Sequence, residues 1–414
     1  MRGFQVAASL LAGGLIFAAC GGAAVPGDAG RIDPDLVANL HASDARSVGE
    51  AVNAFGFDLF HELTDGSGNT VISPPSAATM LAMALAGAGS ETAQAMAEVL
   101  HLDESRDVRV GALLGRLADT GEVTLSVSNA LWAHEGTAFE DDYLEFVHDT
   151  FGGTLEEGDL GADATAEAID DWVRGGTQGL VEGIADDLGL PSPNVILVLL
   201  NAVYFHGDWS TPFDPGETRD EAFQLADGTR TDVPLMRLRE GSFGYTERDG
   251  YRMLRLPYGE DGRYGMEIVV PDDGVALGPV LKSMDGAEWA SAVASLDERE
   301  VEEVVVPRFE LEWDDELTAA LAQLGMGQAF EPGADFRPMS PADPWLDTVV
   351  HKTYIRVDEE GTEAAAVSGG NMAVSGRVDA DPVVFRVDRP FVFTVSDTET
   401  GTVLFLGAVA DPRA

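Results

Sequence analysis

The stretch from Asp358 to Asp381 constrains the fold of this chain more than any other, because it lies between two strand-like segments and itself has the pattern of a strand. Connections longer than about 15 residues without secondary structure are uncommon in compact domains and are usually functional or disordered. Uncharged side chains recur here at every second position, as on one face of an extended strand. They are Thr362, Ala364, Ala366, Ser368, Gly370, Met372 and Val374. With Gly361 before them as a hinge, they predict a loop that is able to become a strand, although the composition alone also allows a flexible linker.

The rest of the chain has helices first and strands later, which is typical of an α+β fold with large sheets. Apolar residues at helical spacing predict helices near 52–63, 76–85 and 90–100, with Ser76 capping the second and Ser90 starting the third. Residues 123–128 alternate with a two-residue period, and residues 195–205 are apolar on both faces, as in the central strand of a covered sheet. Further strands are predicted at 253–256, 266–270, 301–306, 383–387, 391–395 and 403–409.

Nine short motifs follow one another along the chain, and together they resemble those of the serpin family. They are Val71–Ser76, Asn129–Leu131, Trp172-Val173 with Thr177–Gly179, Asn201–Trp209, Leu256–Tyr258, Val306–Phe309, His351-Lys352, Glu359–Ala366 and Arg389–Phe393. The resemblance implies an α+β serpin fold, in which helices pack around three β-sheets. It also implies a large central sheet and an exposed reactive-centre loop at about 359–381.

The resemblance further implies a function. In serpins a protease attacks the exposed loop, the acyl-enzyme is trapped, and the freed segment inserts as a new strand into the central sheet. The chain would then be a suicide-type inhibitor of serine or cysteine endopeptidases and not an enzyme, since the protease supplies the nucleophile. The hinge that the resemblance implies consists of Glu359, Glu360, Gly361, Thr362, Glu363, Ala364, Ala365 and Ala366.

The resemblance also implies a region where the central sheet opens. Its residues would be Ser73, Ser76, Asn201, Trp209, Arg308 and His351. Asn201 and His351 would hydrogen-bond beneath the sheet with Ser73 nearby, and Arg308 would pair with Glu359. The sequence departs from the family at Asp170, where serpins often have asparagine.

Spacing and chemistry give different positions for the bond that the protease cuts. The spacing usual in the family, counted from Glu359, ends at Ser375, with Gly376 after the cut. Arg377, followed by Val378, would instead suit a trypsin-like protease, whose pocket holds a cation against a carboxylate. We favour Arg377 slightly as the specificity residue. Elastase- or subtilisin-like targets, which would prefer Met372 or Val374, stay open.

The N-terminal residues have the pattern of an export signal followed by a tether. The apolar run Val6–Ala19 is shorter than the roughly 20 residues that span a bilayer, and it follows a basic start. The sequence from Phe17 to Gly21 resembles a bacterial lipobox, which implies a lipidated Cys20; an ordinary signal with an incidental cysteine is the alternative. We interpret 1–19 as a lipoprotein signal peptide, 20–46 as the lipidated cysteine and a flexible tether, and 47–414 as the serpin domain. The protein would be exported and held to a membrane, at the cell surface or in the periplasm, through its lipid alone.

The charge of the chain limits its partners. With 72 acidic and 25 basic residues, the formal net charge is −47 at pH 7, so nucleic acid and anionic lipid surfaces would be repelled. This acidity would attract a basic protease, although a salt-adapted proteome explains it more simply. Cys20 is the only cysteine and the seven histidines are scattered, so we expect no disulfide, metal or cofactor, and we expect a monomer.

The sequence disfavours two functions other than inhibition. A secreted hydrolase would need a nucleophile elbow, a zinc-binding histidine pair or a cysteine nucleophile, and the sequence contains none of these. A serpin that acts as a surface binding protein without inhibiting is the remaining alternative. It is disfavoured because Thr362 and Ala364–Ala366 lack the charged, bulky or proline residues that such members carry in the hinge.

Overall fold

A computed structural model describes residues 32–118, 123–342, 344–362 and 383–413. Its helices are α1 (Pro34–Asn39), α2 (Ala42–Leu63), α3 (Pro74–Ala86), α4 (Ser90–Val99), α5 (Val108–Ala118), α6 (Asp141–Phe151), α7 (Asp163–Gly176), α8 (Leu277–Ser283), α9 (Gly286–Ala294) and α10 (Thr318–Leu321). A π-helical turn, Ala322–Met326, and a 3₁₀ turn, Gly327–Phe330, follow α10. The strands are β1 (Thr70–Ile72), β2 (Thr124–His134), β3 (Thr154–Gly158), β4 (Leu197–Asp208), β5 (Arg219–Gln224), β6 (Arg230–Arg248), β7 (Tyr251–Pro257), β8 (Tyr264–Pro271), β9 (Asp297–Pro307), β10 (Phe309–Glu316), β11 (Val350–Val357), β12 (Gly361–Thr362), β13 (Val383–Arg386), β14 (Phe391–Asp397) and β15 (Val403–Val409).

Helix α3 is buried along its whole length, which places it beneath a sheet. It begins at Pro74, and Ser73 occupies the N-cap position, so the prediction that Ser76 caps this helix is wrong. The reason is local: proline at the first helical positions needs no hydrogen-bond donor and has a helical φ already. Ser76 therefore lies inside the first turn.

Helical structure is present before the expected domain boundary at residue 47. Helix α1 starts at Pro34, and the carboxylate of Asp33 accepts a hydrogen bond from the amide of Asp35 at 2.8 Å. The backbone N–H of Asp33 donates to the carbonyl of Asp149 in α6 at 3.1 Å. The predicted signal peptide and Cys20 lie outside the described residues.

A six-stranded sheet holds the strand predicted to be central. Its order is β10-β11-β12-β4-β2-β3, and β4 lies inside it as the apolar run predicts. One face of β4 packs towards α3 and the main core; the other, with Val198 and Leu200, packs against Ile169 and Val173 of α7. Helices on both faces explain why β4 is apolar on both sides.

A nine-stranded sheet contains the remaining strands, in the order β1-β15-β14-β8-β7-β6-β9-β13, with β5 added to β6. The 19-residue β6 pairs with β5 at its start, with β9 from Leu235 to Tyr245 and with β7 from Gly244 onwards, so it joins two sheets into one. Of the three expected sheets, one is therefore separate, and the other two are continuous with each other through β6. The α+β class is confirmed.

Within the described ranges, none of the helices is both long and apolar enough to cross a membrane. The same residues contain no group of three or more histidine, cysteine, aspartate or glutamate side chains placed to hold a metal ion.

Candidate functional site

A gap separates β4 from β11 in the six-stranded sheet. The two strands do not pair with each other in the part of the chain that the structure describes; the two-residue β12 lies between them at one end. There Thr362 pairs with Gly207 of β4 and with Val357 of β11. Beyond Thr362 the gap continues as a cavity of about 360 Å³. This arrangement leaves backbone groups of both strands available to a further strand.

The cavity has apolar walls on both faces of the sheet. Met80, Leu81 and Ala84 of α3 line it on the core side. Val181 and Ile184, from the connection between α7 and β4, line it on the other. The cavity therefore suits small uncharged side chains better than charged ones.

The polar groups of the predicted opening region lie on opposite sides of the gap. Asn201 on β4 donates to Asn129 Oδ1 at 2.7 Å and accepts from the hydroxyl of Ser76. His351 on β11 accepts the backbone N–H of Ser73 at Nε2, at 3.0 Å. Asn201 and His351 therefore each bond to the first turn of α3 and its cap, beneath the sheet, and His351 bonds to Ser73 directly. The hydroxyl of Ser73 has no partner among the described residues.

Burial controls the charge of His351. It is buried between the sheet and α3, and this burial lowers the pKa of its imidazole to about 4. Because Nε2 accepts a hydrogen bond, the neutral ring is the form that fits this site. The side chain is thus uncharged at neutral pH.

A tight turn joins β11 to β12 and contains the first hinge residues. The N–H of Asp358 donates to the carbonyl of Gly361 at 3.0 Å, and the Asp358 carboxylate accepts the N–H of Glu360 at 3.0 Å. The indole N–H of Trp209 donates to the carbonyl of Asp358 at 2.9 Å. At Gly361 a Cβ atom would lie 2.2 Å from the carbonyl oxygen of Gly207, so only glycine fits against β4 there.

The carboxylate of Glu359 is held by two side chains. The hydroxyl of Thr218 donates to it at 2.6 Å, and the guanidinium of Arg308 lies 3.6 Å away. The structure therefore brings together Arg308 and Glu359 as expected from the sequence. The Arg308 side chain is 50% exposed, so this ion pair contributes only about 0–1 kcal/mol. The shorter contact with Thr218 is not predicted from the sequence.

Tyr258 is a second site residue that the sequence does not single out. Its hydroxyl lies 2.6 Å from the hydroxyl of Thr362, and both residues are buried. Its ring stacks on Trp209, with centroids 4.4 Å apart. The motif Leu256–Tyr258 gave its position in the chain, but no spacing pattern indicates a contact with a residue 104 positions later.

Comparison with known proteins identifies the family. A family model described as serpin (serine protease inhibitor) matches residues 50–412. The chain belongs to the serpin family.

An uncharacterized serpin-like protein of Thermococcus kodakarensis is 35% identical over 383 residues, which cover 90% of this chain and 88% of that protein. The leukocyte elastase inhibitor of Xenopus tropicalis is 31% identical, and the matched residues cover 88% of this chain and all of that protein. Human thyroxine-binding globulin has a TM-score of 0.80 at 24% identity, covering 90% of this chain and all of that one, a likeness that shows the fold alone. The serpin fold is thus shown.

Helix α7 of this serpin packs against β2 and β4, and the connection that follows it is bonded to α7 at one end and to β11 at the other. Asp170 Oδ1 accepts the N–H groups of Ile184 and Ala185 at 2.7 and 2.8 Å, as the oxygen of an asparagine would. The ammonium of Lys352 on β11 lies 2.7 Å from the carboxylate of Asp187. The connection after α7 therefore spans from α7 to β11 over the cavity.

Part of the predicted serpin loop lies outside the described residues. This applies to Glu363, Ala364, Ala365 and Ala366 of the hinge, and to Ser375, Gly376, Arg377 and Val378 at the candidate cleavage sites.

Proposed function

We propose that this serpin inhibits serine endopeptidases by inserting its cleaved loop between β4 and β11. The observation that carries the proposal is the gap itself, with Gly361 and Thr362 already paired at one end and an apolar cavity beyond them. A strand inserted there would pair with β4 on one side and β11 on the other. The native fold would then be a kinetically trapped state that cleavage releases.

The observed register determines which loop side chains would point inward. Directly paired residues in a sheet share a face, and Thr362 points into the core opposite Gly207. Continuing this register, Ala364 and Ala366 would point the same way, opposite Phe205 and Val203 of β4. Both are small and uncharged, as the cavity requires.

The same register accounts for the polar position in the middle of the series. Ser368 would lie between Asn201 on β4 and His351 on β11, both of which are polar and line the cavity. Met372 would lie opposite Leu197, the first residue of β4. The composition of the loop thus agrees with the polarity of the gap position by position.

The proposal is compatible with both candidate cleavage sites. Cleavage after Ser375 or after Arg377 would both leave residues 362–372, the length needed to span β4, in the freed segment. Arg377 favours a trypsin-like target. Similarity to a leukocyte elastase inhibitor makes elastase-like proteases worth testing as well.

The test is incubation of the chain from Gly21 onwards with trypsin, elastase and subtilisin, followed by denaturing gels and intact-mass analysis. We expect an SDS-resistant adduct and a C-terminal peptide starting at residue 376 or 378. The matched control is Thr362→Arg, which puts a charge at an inward position and should give cleavage without an adduct.

Cleavage with all three proteases fully active would contradict inhibition of these targets. The thermal stability of the cleaved chain then separates the alternatives. A large gain would show that the loop inserts and that only the target is wrong. No gain would favour the role of a surface binding protein, which the likeness to thyroxine-binding globulin in fold also allows.

We also propose that the protein is exported and anchored through a lipidated Cys20, in support of which stands the lipobox-like segment from Phe17 to Gly21. Expressed in a bacterium, the full chain should partition into detergent and show the mass of an acylated N-terminus. Cys20→Ser should release it into the aqueous phase. An unchanged distribution of this variant would contradict the anchor.

A further inference from the structure

We propose that Tyr258 is a positioning residue for inhibition: its hydroxyl binds Thr362 and sets the register in which the loop inserts. This inference rests on the proposed inhibitory function. It assigns the register to one side-chain contact at the first inserted residue of the loop rather than to the loop sequence that follows. We call the pair formed by Tyr258 and Thr362 the latch.

Tyr258 is immobilised on several sides. Its ring stacks on Trp209 with an interplanar angle of 12°, and it meets Phe205 edge-on with centroids 5.3 Å apart. Its backbone N–H donates to the carbonyl of Tyr264 at 2.9 Å. The ring is fully buried, so its hydroxyl is held at a fixed place beside Thr362, the residue that pairs with both β4 and β11.

Thr362 fits this hydroxyl in one position only. It is 2% exposed, and its hydroxyl lies 2.6 Å from that of Tyr258. A shift of the strand by one residue would bring Gly361, with no side chain, or Glu363, with a charge, to the same place. Neither can supply a neutral hydroxyl, so the latch distinguishes the correct register from its neighbours.

The loop needs such a device because its own sequence specifies register weakly. Residues 364–370 read Ala-Ala-Ala-Val-Ser-Gly-Gly, in which a one-residue slip exchanges small side chains for other small side chains. Gly-rich strands are prone to slippage, and a slip of one residue moves every side chain to the opposite face. A slipped strand would place Ser368 away from Asn201 and His351, and the remaining steps of insertion would be slower.

The chain offers a closely matched control in Tyr264. This tyrosine is buried in the same aromatic cluster, 6.2 Å from Phe205, but its hydroxyl donates to the carbonyl of Leu117 at 2.8 Å and does not touch the hinge. Tyr258→Phe and Tyr264→Phe therefore each remove one buried hydroxyl. Only the first removes a contact with the loop.

The experiment compares the full chain with Tyr258→Phe, Tyr264→Phe, Thr362→Val and the double variant Tyr258→Phe/Thr362→Val against a protease that the parent traps. We expect Tyr258→Phe to lower the ratio of adduct to cleaved inhibitor about five-fold, the effect of one buried neutral hydrogen bond. The double variant should lose no more than its worse single variant, because both remove the same contact. Equal ratios for Tyr258→Phe and the parent, or an equal loss in Tyr264→Phe, would overturn the latch.

A second measurement does not depend on any protease. Hydrogen exchange of residues 358–362 in the uncleaved chain should be faster in Tyr258→Phe than in the parent and unchanged in Tyr264→Phe. Unchanged exchange in Tyr258→Phe would refute the latch even if the chain inhibits. If the parent gives no adduct while this exchange difference is present, the inhibitory function fails and the contact itself stands.

Discussion

At the scale of single residues, Gly361 has the closest approach to a neighbouring strand, because a Cβ atom there would lie 2.2 Å from a backbone oxygen of Gly207. We predict that Gly361→Ala displaces the hinge from the sheet. The loop should stay cleavable, but the yield of protease adduct should fall at least ten-fold, since Thr362 would no longer be seated. Gel densitometry of adduct and cleaved chain measures this.

The control for this prediction is Gly68→Ala. Gly68 has no atom within 4 Å of the Cβ position, so its replacement should leave the adduct yield unchanged. If Gly361→Ala gives as much adduct as the parent, then β4 moves aside at this contact and the hinge does not need glycine.

His351 makes the stability of the native form depend on pH. Burial lowers the pKa of its imidazole to about 4, against about 6.5 in an unfolded chain, so the unfolded state takes up the proton first as pH falls. The stabilisation is complete above about pH 7 and is lost progressively from pH 6.5 down to pH 4. Between pH 7.5 and pH 5, this one group should lower the free energy of unfolding by about 2 kcal/mol.

Urea unfolding of the native form at pH 7.5 and pH 5 measures the effect. Carboxylates also titrate in this range, so the test is the difference between the parent and His351→Gln, which should have the shallower pH dependence. His41→Gln, at an exposed position, serves as the control. Equal pH dependence in the parent and in His351→Gln would mean that protonated His351 is accommodated.

Not every residue of the site can be predicted from the sequence. Gly361 and Thr362 follow from the pattern of small uncharged residues, which has a direct physical meaning, whereas Glu359 follows from the resemblance to the serpin hinge. Thr218 and Tyr258 do not, because their contacts with the hinge join positions 141 and 104 residues apart and follow no periodic pattern. Such contacts depend on how whole sheets pack.

At the scale of elements, the connection after α7 lines the gap that the proposed insertion would fill, so we expect it to move before a strand enters. The ion pair between Lys352 and Asp187 holds this connection to β11 at 2.7 Å. We predict that Asp187→Asn speeds insertion of the cleaved loop about two- to five-fold, the effect of a partly exposed ion pair. The rise of thermal stability after proteolytic cleavage, followed over time, gives the insertion rate.

Asp171→Asn is the matched control. Asp171 pairs with Arg174 on the exposed side of α7, so its replacement removes an ion pair from the same helix without touching β11. Equal acceleration in both variants would attribute the effect to charge on α7 in general. Slower insertion in Asp187→Asn would contradict the predicted restraint.

Elements with a clean apolar period can be predicted, and those without one cannot. The apolar runs predict α2, β4, β14 and β15 because the same periodicity that marks them also buries them. The longest strand, β6, carries arginine and glutamate side chains on half-exposed faces, which hide its period. The two-residue β12 is too short to show a period, and it is a strand because its residues pair with β4 and β11.

At the scale of the whole molecule, the excess of acidic side chains gives a net charge of −47, and their mutual repulsion destabilises the folded state. Raising NaCl from 0.1 to 1 M shortens the screening length from roughly 10 Å to roughly 3 Å. The unfolding temperature of the native form should rise by several degrees, as measured by scanning calorimetry. Sucrose at equal osmolality separates screening from general solute effects, and a fall in unfolding temperature with salt would contradict the prediction.

The ion pair of Lys352 has one further consequence. The chain contains two lysines: Lys282 is exposed on α8, whereas Lys352 is mostly buried beside the gap. A short amine-reactive ester would therefore acylate Lys282 at once and Lys352 only when β11 and the α7 connection separate. Peptide mass spectrometry over time would report the spontaneous opening of the sheet in the unmutated protein, with Lys282 as an internal standard in every molecule.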